Sequence, residues 1–582
     1  MNFNKSLHSL FKALYAIIVL FFLSEHGLFS QNLESIGKEN PITVSGGVSV
    51  NQIFYANNGL DSRRDPYSFF ASGNINFDLY GWSVPLSFAY SNQQVSFQQP
   101  FNQYSVNPTY KWISGHFGFT NMNFSPYTLG GHNFLGAGVE ARPGKWQVSA
   151  MYGRLLAPVQ PDSTSETRGI PSFRRMGWGV KAGYADGQDQ LHFIIFNAKD
   201  DVNSIDYVPE EEDILPEENL VISLIGSKKL FSRVVLNAEY SISGITRDTR
   251  TEAISPEEYR FFNNVGGLFQ PRISTGYYNA FNSGINYQAD AFTVGVGLER
   301  IDPGYRTLGA YFFNNDLINY TVNAATSIFS GKVNLAGNIG LQKDNLDGEK
   351  VSTMERTVGS INVGFAASEK LNISTSYSNF TSFTNIRSQF VDINQLTPYD
   401  NLDTLNFTQI SQNASVNGSY ILQSSEDRRQ NLNVNFSFQD AADQQGGVEQ
   451  NSGSQFYLMN ASYSLSLVPK SMTISGSFNY NENKALNNNT RTLGPTLAIN
   501  QSFLDKALRA TLSSSYNSSF SNGDNTANIL NIRSSGSYSI KKKHNINLGL
   551  AMVNRQSKRE SATSDFTEFT ATLGYSYNFS SR

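Results

Sequence analysis

The chain ends with FTATLGYSYNFSSR, residues 569–582. Apolar side chains occupy every second position up to Phe579, and small or polar residues lie between them. Successive side chains of an extended strand point to opposite faces, so this segment predicts a strand with one apolar and one polar face. The apolar face could contact a second sheet in a soluble sandwich or lipid around a membrane barrel.

The same alternation recurs through the chain, for example in RQNLNVNFSF (429–438), SMTISGSFNY (471–480) and HNINLGLAM (544–552). Segments of about ten residues with this pattern are typical of transmembrane strands, although a soluble antiparallel sheet can also alternate. The pattern therefore predicts an all-β protein and leaves its surroundings open.

The lengths of the connections separate the two alternatives. Short connections such as 541–543 and 504–506 alternate with longer ones such as 441–453 and 381–403. Outer-membrane barrels alternate short periplasmic turns with longer extracellular loops, whereas a soluble sandwich does not need this order. The alternation holds from both chain ends only if 301–316 (IDPGYRTLGAYFFNND) is a folded extracellular loop, not a spanning strand.

We therefore predict a transmembrane antiparallel β-barrel of about 26 strands, within a range of roughly 22 to 26, with both chain ends periplasmic and no separate plug domain. The last strand should close the barrel by pairing with the strand near Val44–Ala56. Its apolar face should contact lipid through Phe569, Leu573, Tyr575, Tyr577 and Phe579.

The first thirty residues differ from the rest. Lys5 and Lys12 precede the apolar run ALYAIIVLFFL (13–23), and small residues follow up to Ser30. This order is typical of a secretory signal peptide, and the apolar run is short for a membrane anchor helix, the alternative. We expect residues 1–30 to be a signal peptide cleaved near Ser30 and Gln31, residues 31–43 a short periplasmic segment, and residues 44–582 the barrel.

The composition excludes several functions. Charged residues make up 16% of the chain, the net charge is -4, and there is no Cys. No basic field invites nucleic acid, and disulfides and thiolate metal sites are impossible. His116, His132, His192 and His544 are far apart in sequence, and neither a zinc-binding helix motif nor a G-x-S-x-G or P-loop motif is present. We expect no cofactor, no metal and no enzymatic activity, although a site assembled across strands would leave no local motif.

Charged residues in two predicted loops have two interpretations each. Arg168, Arg174 and Arg175 could form a positive constriction of the lumen, or a loop rim against anionic lipid headgroups. The acidic run PEEEDILPEEN (209–219) could hold a divalent cation, but a solvated loop is the usual fate of such a run.

Two predicted loops are rich in aromatic residues, FSPYTLGGHNFLG (124–136) and 301–316. Exposed apolar side chains are costly, so these loops should either seal the lumen or bind a partner. The candidate residues are Tyr127, Phe134, Tyr305, Tyr311, Phe312 and Phe313.

The segments 133–155, 299–322 and 337–347 resemble a group of large porin-like outer-membrane barrel proteins of Bacteroidetes. The resemblance covers the predicted mature chain and implies a place in the bacterial outer membrane, contact with its lipid, and insertion by the barrel-assembly machinery. Ser580, Ser581 and Arg582 follow the final aromatic residue, where assembly signals of such barrels usually end.

The combined expectation is a channel for solute passage or translocation. The alternative is a membrane-embedded scaffold or anchor for a surface adhesin or for a secretion or assembly complex, with a surface or secretion-system protein as partner. An outer-membrane enzyme using one of the histidines is the least favoured alternative.

Overall fold

A computed structural model describes residues 42–581. It leaves out 60, 93–101, 162–170, 209–213, 256–261, 263–266, 312, 351–352, 354, 380–409, 446–447, 486–487 and 559–564. The predicted signal peptide and nearly all of the segment 31–43 lie outside the described residues.

The described residues form 27 strands joined by turns and loops. In chain order they are β1 (Ile42–Asn58), β2 (Tyr67–Leu79), β3 (Trp82–Ser91), β4 (Gln103–Val106), β5 (Thr109–Tyr110), β6 (Ile113–Asn123), β7 (Gly130–Ala141), β8 (Trp146–Leu156), β9 (Arg174–Asp186), β10 (Asp189–Asp201), β11 (Glu218–Leu230), β12 (Val234–Thr246), β13 (Thr275–Gln288), β14 (Phe292–Ile301), β15 (Leu317–Ile328), β16 (Val333–Lys343), β17 (Glu355–Ser368), β18 (Leu371–Ser378), β19 (Ile410–Ser424), β20 (Arg428–Gln445), β21 (Val448–Leu467), β22 (Met472–Ala485), β23 (Asn488–Phe503), β24 (Leu508–Ser521), β25 (Asp524–Ile540), β26 (His544–Ser557) and β27 (Phe566–Ser580).

The strands form one closed antiparallel barrel. The short strands β4 and β5 both lie between β3 and β6 and share one position in the wall, so the barrel has 26 strands, as predicted. β27 pairs with β1 from Ser45 opposite Ser580 to Asn58 opposite Thr567, which confirms the predicted closure. The segment after β14 is a loop that leads to β15, so 302–316 is not a spanning strand, as predicted. Its extracellular position stays a prediction.

The short connections form tight hairpins. Between β2 and β3, Tyr80 and Gly81 have φ values of 50° and 89°, the backbone of a two-residue turn that matches the twist of paired strands. The three-residue turn Lys541–Lys543 places two consecutive non-Gly residues, Lys541 and Lys542, at positive φ. These turns lie at one end of the barrel. Most connections at the other end are longer, but Asn522 and Gly523 form a two-residue turn there. The prediction of a long connection at 441–453 was wrong, because β20 continues to Gln445 and β21 begins at Val448.

The two faces of the wall differ in polarity. On β27, Phe569 and Tyr575 point outward and are 53% and 43% exposed, whereas the inward Thr570 is 1% exposed. Large apolar side chains are exposed in the same way on the outer face of most other strands. An apolar exterior around a polar interior is the arrangement of a transmembrane barrel. Within the described residues, no helix is long and apolar enough to cross a membrane.

Buried apolar residues concentrate at the long-loop end of β6–β14. Two clusters lie inside the barrel; they include Phe124, Leu129, Phe134, Phe196 and Leu308 in one, and Tyr127, Ile301 and Tyr305 in the other. A third cluster lies on the outer face, where Phe262 and Phe269 of loop 247–274 cover Leu220 of β11. One loop thus covers the outside of the wall, while others fill the lumen.

Candidate functional site

The lumen contains a compact unit made from two loops, residues 124–129 after β6 and residues 302–316 between β14 and β15, which we call the inner plug. Tyr305 Oη donates a hydrogen bond to the carbonyl oxygen of Tyr127 (2.8 Å), and Thr307 Oγ1 donates to the carbonyl oxygen of Thr128 (2.7 Å). The Gly130 amide, at the start of β7, donates to the carbonyl oxygen of Gly309 (2.9 Å). Loops that are far apart in sequence are therefore joined as one body.

Three aromatic rings form the centre of the inner plug. The ring centroids of Tyr127, Tyr305 and Phe313 lie between 5.1 and 6.2 Å apart. Tyr305 is fully buried, and the buried Tyr127 donates a hydrogen bond from Oη to Glu299 Oε1 (2.6 Å) on β14. Burial, reinforced by the charge of Glu299, raises the pKa of Tyr127 far above its ordinary value, so the phenol stays neutral and donates to the carboxylate.

The inner plug is attached to the wall by packing and by hydrogen bonds. Leu129 and Leu308 pack with the fully buried Phe196 of β10. Lys181 Nζ donates to the carbonyl oxygen of Phe124 (2.8 Å), and the Leu308 amide donates to Asn219 Oδ1 (3.1 Å). The apolar side chains of the plug are buried and its backbone polar groups have hydrogen-bond partners. The plug therefore resembles the core of a folded domain.

The other aromatic candidates lie beside this core. Phe134 of β7 is fully buried in the first cluster. The Tyr311 ring stacks on His132 with a centroid distance of 4.0 Å, and its hydroxyl accepts from the Asn133 amide (3.1 Å). Phe312 lies outside the described residues. The structure thus brings Tyr127, Phe134, Tyr305, Tyr311 and Phe313 together inside the lumen.

A network of charged residues fastens the inner plug to the rim. Arg175 of β9 donates to both carboxylate oxygens of Asp200 (2.7 and 2.8 Å) and to Glu217 (2.9 Å). Arg306 of the plug donates two hydrogen bonds to the same Glu217 (2.7 and 2.8 Å). Asp200 is 3% exposed, so the inner end of this network is shielded from water. Glu217 therefore links a wall strand to the plug.

Two of the three arginines of the predicted constriction are described, and they point to opposite faces of the wall. Arg175 points inward and is paired with two carboxylates, Arg174 on the opposite face is paired with Asp201, and Arg168 lies outside the described residues. The positive constriction stays a prediction.

The end of the plug loop is held by a second ion pair. Asp316 contacts Lys350 Nζ at 2.5 Å and accepts hydrogen bonds from the amides of Asn345 (3.1 Å) and Leu346 (2.8 Å). Burial acts to raise the pKa of Asp316, but the hydrogen bonds from Lys350 and the two amides outweigh it and leave that pKa below its ordinary value of 3.8. Lys350 also contacts Asp344 at 3.0 Å, so loops 302–316 and 344–350 form one connected surface.

The candidate histidines and the described part of the acidic run contact different partners. His116 lies 3.7 Å from Glu140, and His192 lies 3.1 Å from Gln147, on different strands. No group of three or more His, Asp or Glu side chains in the described ranges is arranged to hold a metal ion. Residues 209–213 of the acidic run lie outside those ranges, and Glu218 pairs with Lys199 at 2.9 Å.

The wall opposite the plug has a different character. The inward positions of β15–β23, which we call the neutral wall, are mainly Asn, Ser and Thr, and charged residues lie toward the strand ends. Strand pairing aligns Asn417, Asn435, Asn460 and Asn479 side by side on four adjacent strands. Asn460 Nδ2 donates to Asn479 Oδ1 (2.5 Å). An uncharged polar surface thus faces the filled half of the lumen.

Sequence reasoning predicted the aromatic loops but missed their partners. Glu217, Asp200 and Arg306 give no local signal, because Glu217 and Arg306 are 89 residues apart. The aligned asparagines could have been suspected from the alternate asparagines of NLNVN (431–435), but their alignment depends on the pairing register of four strands.

No family model and no curated protein matches the chain. Solved structures with similar folds include the FrpB iron transporter from Neisseria meningitidis, at 12% identity and a TM-score of 0.37, covering 94% of this chain and 82% of that one. The P pilus usher (PapC) translocation pore is similar at 9% identity and a TM-score of 0.40, covering 92% of this chain and 100% of that one. The copper transporter OprC is similar at 8% identity and a TM-score of 0.37, covering 92% and 80%.

Proposed function

We propose that this chain is an outer-membrane channel through which solutes pass between the inner plug and the neutral wall. The observation that carries the proposal is the divided lumen, with one half filled by packed loops and the other lined by amides and hydroxyls. A barrel of this many strands encloses a lumen that needs a plug to restrict diffusion. The plug restricts the opening, and the neutral wall supplies a hydrated surface for solutes.

The orientation follows from the connections. In this proposal the short turns lie at the periplasmic rim of the barrel, together with Ile42 at the start of β1 and Ser581 after β27. The long loops and the inner plug lie at the extracellular rim. Outward residues such as Leu573 and Tyr575 contact lipid, residues 1–30 direct export, and the barrel-assembly machinery inserts the chain.

Conductance in a planar lipid bilayer tests the proposal. We expect the purified barrel to conduct weakly, and to conduct more when residues 303–315 are replaced by a short Gly-Ser linker, because this removes one half of the plug. Trimming loop 247–274 is the matched control, because that loop packs on the outer face and should leave the conductance unchanged. A plug-deleted barrel that is correctly folded and still does not conduct would refute the channel.

The second candidate function is a scaffold or anchor for a surface adhesin or for a secretion or assembly complex. The observation that favours it is the core-like packing of the plug, with Tyr305 and Phe134 fully buried. A permanently closed barrel has no transport role but can hold a partner at the cell surface. Gentle detergent extraction followed by mass spectrometry separates the two functions, since an anchor should retain a stoichiometric partner and a channel should purify alone.

A further inference from the structure

The neutral wall is indented near its periplasmic end. An open cavity of about 690 Å³ lies there across β14–β19, and most of its lining residues belong to the lumen face. Inward side chains around it include Thr293, Ser327, Asn334, Asn362, Ser376 and Asn417. The volume falls within the range of sites that hold small organic molecules.

Small residues create the indentation. Ala325 and Ala336 face each other on β15 and β16, and Gly364 of β17 lies opposite Asn334, two residues along the wall. A Cβ atom placed on Gly364 would have its nearest neighbour, Asn334 Cβ, at 3.8 Å, so a side chain there would extend into open space. Asn362, which pairs with Ala336, and Asn417 contribute larger amide side chains to the lining.

The chemistry of the lining favours an uncharged ligand. Each Asn offers two N–H donors and a carbonyl acceptor, and each Ser or Thr hydroxyl can both donate and accept. Asp290 lies at the edge, but its side chain is 95% exposed in a turn and faces Arg233 at 3.5 Å. An ion that left water for this lining would lose hydration without gaining a partner charge, whereas a hydroxyl-rich molecule exchanges one set of hydrogen bonds for another.

We propose that this cavity is a binding site for an uncharged saccharide that passes through the barrel. The proposal rests on the channel function for its access route, and it adds the class of solute. Ser376 and Ser415, joined by a hydrogen bond of 2.6 Å, mark one side of the site, and Asn334 and Asn362 mark the other.

The test is a titration with maltotriose, monitored by the bilayer current and, separately, by calorimetry of the detergent-solubilised barrel. We expect concentration-dependent block of the current and saturable heat. Asn417→Leu should raise the half-blocking and half-binding concentrations about five- to tenfold, the effect of losing one or two hydrogen bonds. Asn547→Leu, on the lumen face of β26 outside both the neutral wall and the cavity, is the matched control and should change neither value.

The outcomes separate the proposal from the channel function. Heat of binding that is lost in Asn417→Leu, from a barrel that does not conduct, supports the site and refutes the channel. A conducting barrel without block and without heat refutes the site and leaves the channel. An equal loss in Asn417→Leu and Asn547→Leu, or binding of a neutral capped tripeptide in place of maltotriose, also overturns the proposal. Heat-modifiable migration in gels verifies that each variant is folded.

Discussion

The inner plug should be held mainly by apolar packing, not by its ion pairs, and two adjacent residues allow a direct comparison. Tyr305 is fully buried and donates to the carbonyl oxygen of Tyr127. Its neighbour Arg306 makes a two-pronged ion pair with Glu217, but its side chain is 49% exposed. The perturbations are Tyr305→Ala and Arg306→Ala.

The expected free-energy changes differ because the two sites differ in burial. Removing a fully buried aromatic ring typically costs about 3–5 kcal/mol, and the carbonyl left without its donor adds to this. An exposed ion pair contributes about 0.2–1 kcal/mol because water screens it. Glu217 also keeps Arg175 after the loss of Arg306. The difference of at least about 2 kcal/mol corresponds to roughly 30-fold in the population of the released loop.

Hydrogen exchange of residues 303–315, measured by mass spectrometry in lipid nanodiscs, reports that population. We expect fast exchange in Tyr305→Ala and near-normal exchange in Arg306→Ala. Tyr311→Ala is a control with the same change of side chain in the same loop, and its 45% exposure predicts an intermediate effect. Faster exchange in Arg306→Ala than in Tyr305→Ala would show that the ion network, not packing, holds the plug.

Three further results are expected. In this chain without Cys, the double variant Gly130→Cys and Ala310→Cys should form a disulfide, because a Cβ on Gly130 would lie 3.6 Å from that of Ala310. Its bilayer current should be the same in the oxidised and the reduced protein, because solutes pass beside a plug that stays in place; a current that oxidation suppresses would contradict this route. Leu573→Arg, on the outer face, should lower the free energy of unfolding in lipid by about 2–4 kcal/mol, measured by denaturant titration. Thr572→Arg, on the adjacent inward position, should lower it by about 1 kcal/mol or less, and equal losses would contradict the assigned faces. Because the pKa of Asp316 is lowered in the folded barrel, its ion pair and hydrogen bonds should stabilise the loops above pH 3.8 and be lost as the pH falls through the lowered pKa. Below that pH the amides of Asn345 and Leu346, which donate to Asp316, should exchange hydrogen faster, and Asp316→Asn should abolish this pH dependence.

The sequence allowed the barrel to be predicted because its signals are local and repeated. Alternation on segments such as β27 defines the two faces, and connection lengths define the two ends. The prediction that 301–316 is a loop followed from the parity of the connections, and turn residues at its two ends, Asp302–Gly304 and Asn314–Asp316, agreed with it. The sequence did not predict whether a loop folds into the lumen or onto the outer face. Loops 124–129 and 247–274 are both rich in apolar residues, yet the first enters the lumen and the second covers Leu220 on the outer face. Such choices depend on side chains from distant strands, including Phe196 and Asn219, which carry no recognisable spacing.

The long separation between the two halves of the inner plug has a consequence for biogenesis. Tyr305 and Tyr127 are 178 residues apart, and eight strands from β7 to β14 lie between them. The contact can form only after those strands are aligned, because ordering so long a loop has an entropic cost that local pairing must first offset. A partly assembled barrel therefore has an unoccupied lumen and exposed aromatic residues. The barrel wall should therefore form before the inner plug folds into it. An intermediate that stalls before this step should let ions pass through its lumen and should be recognised by quality-control proteases.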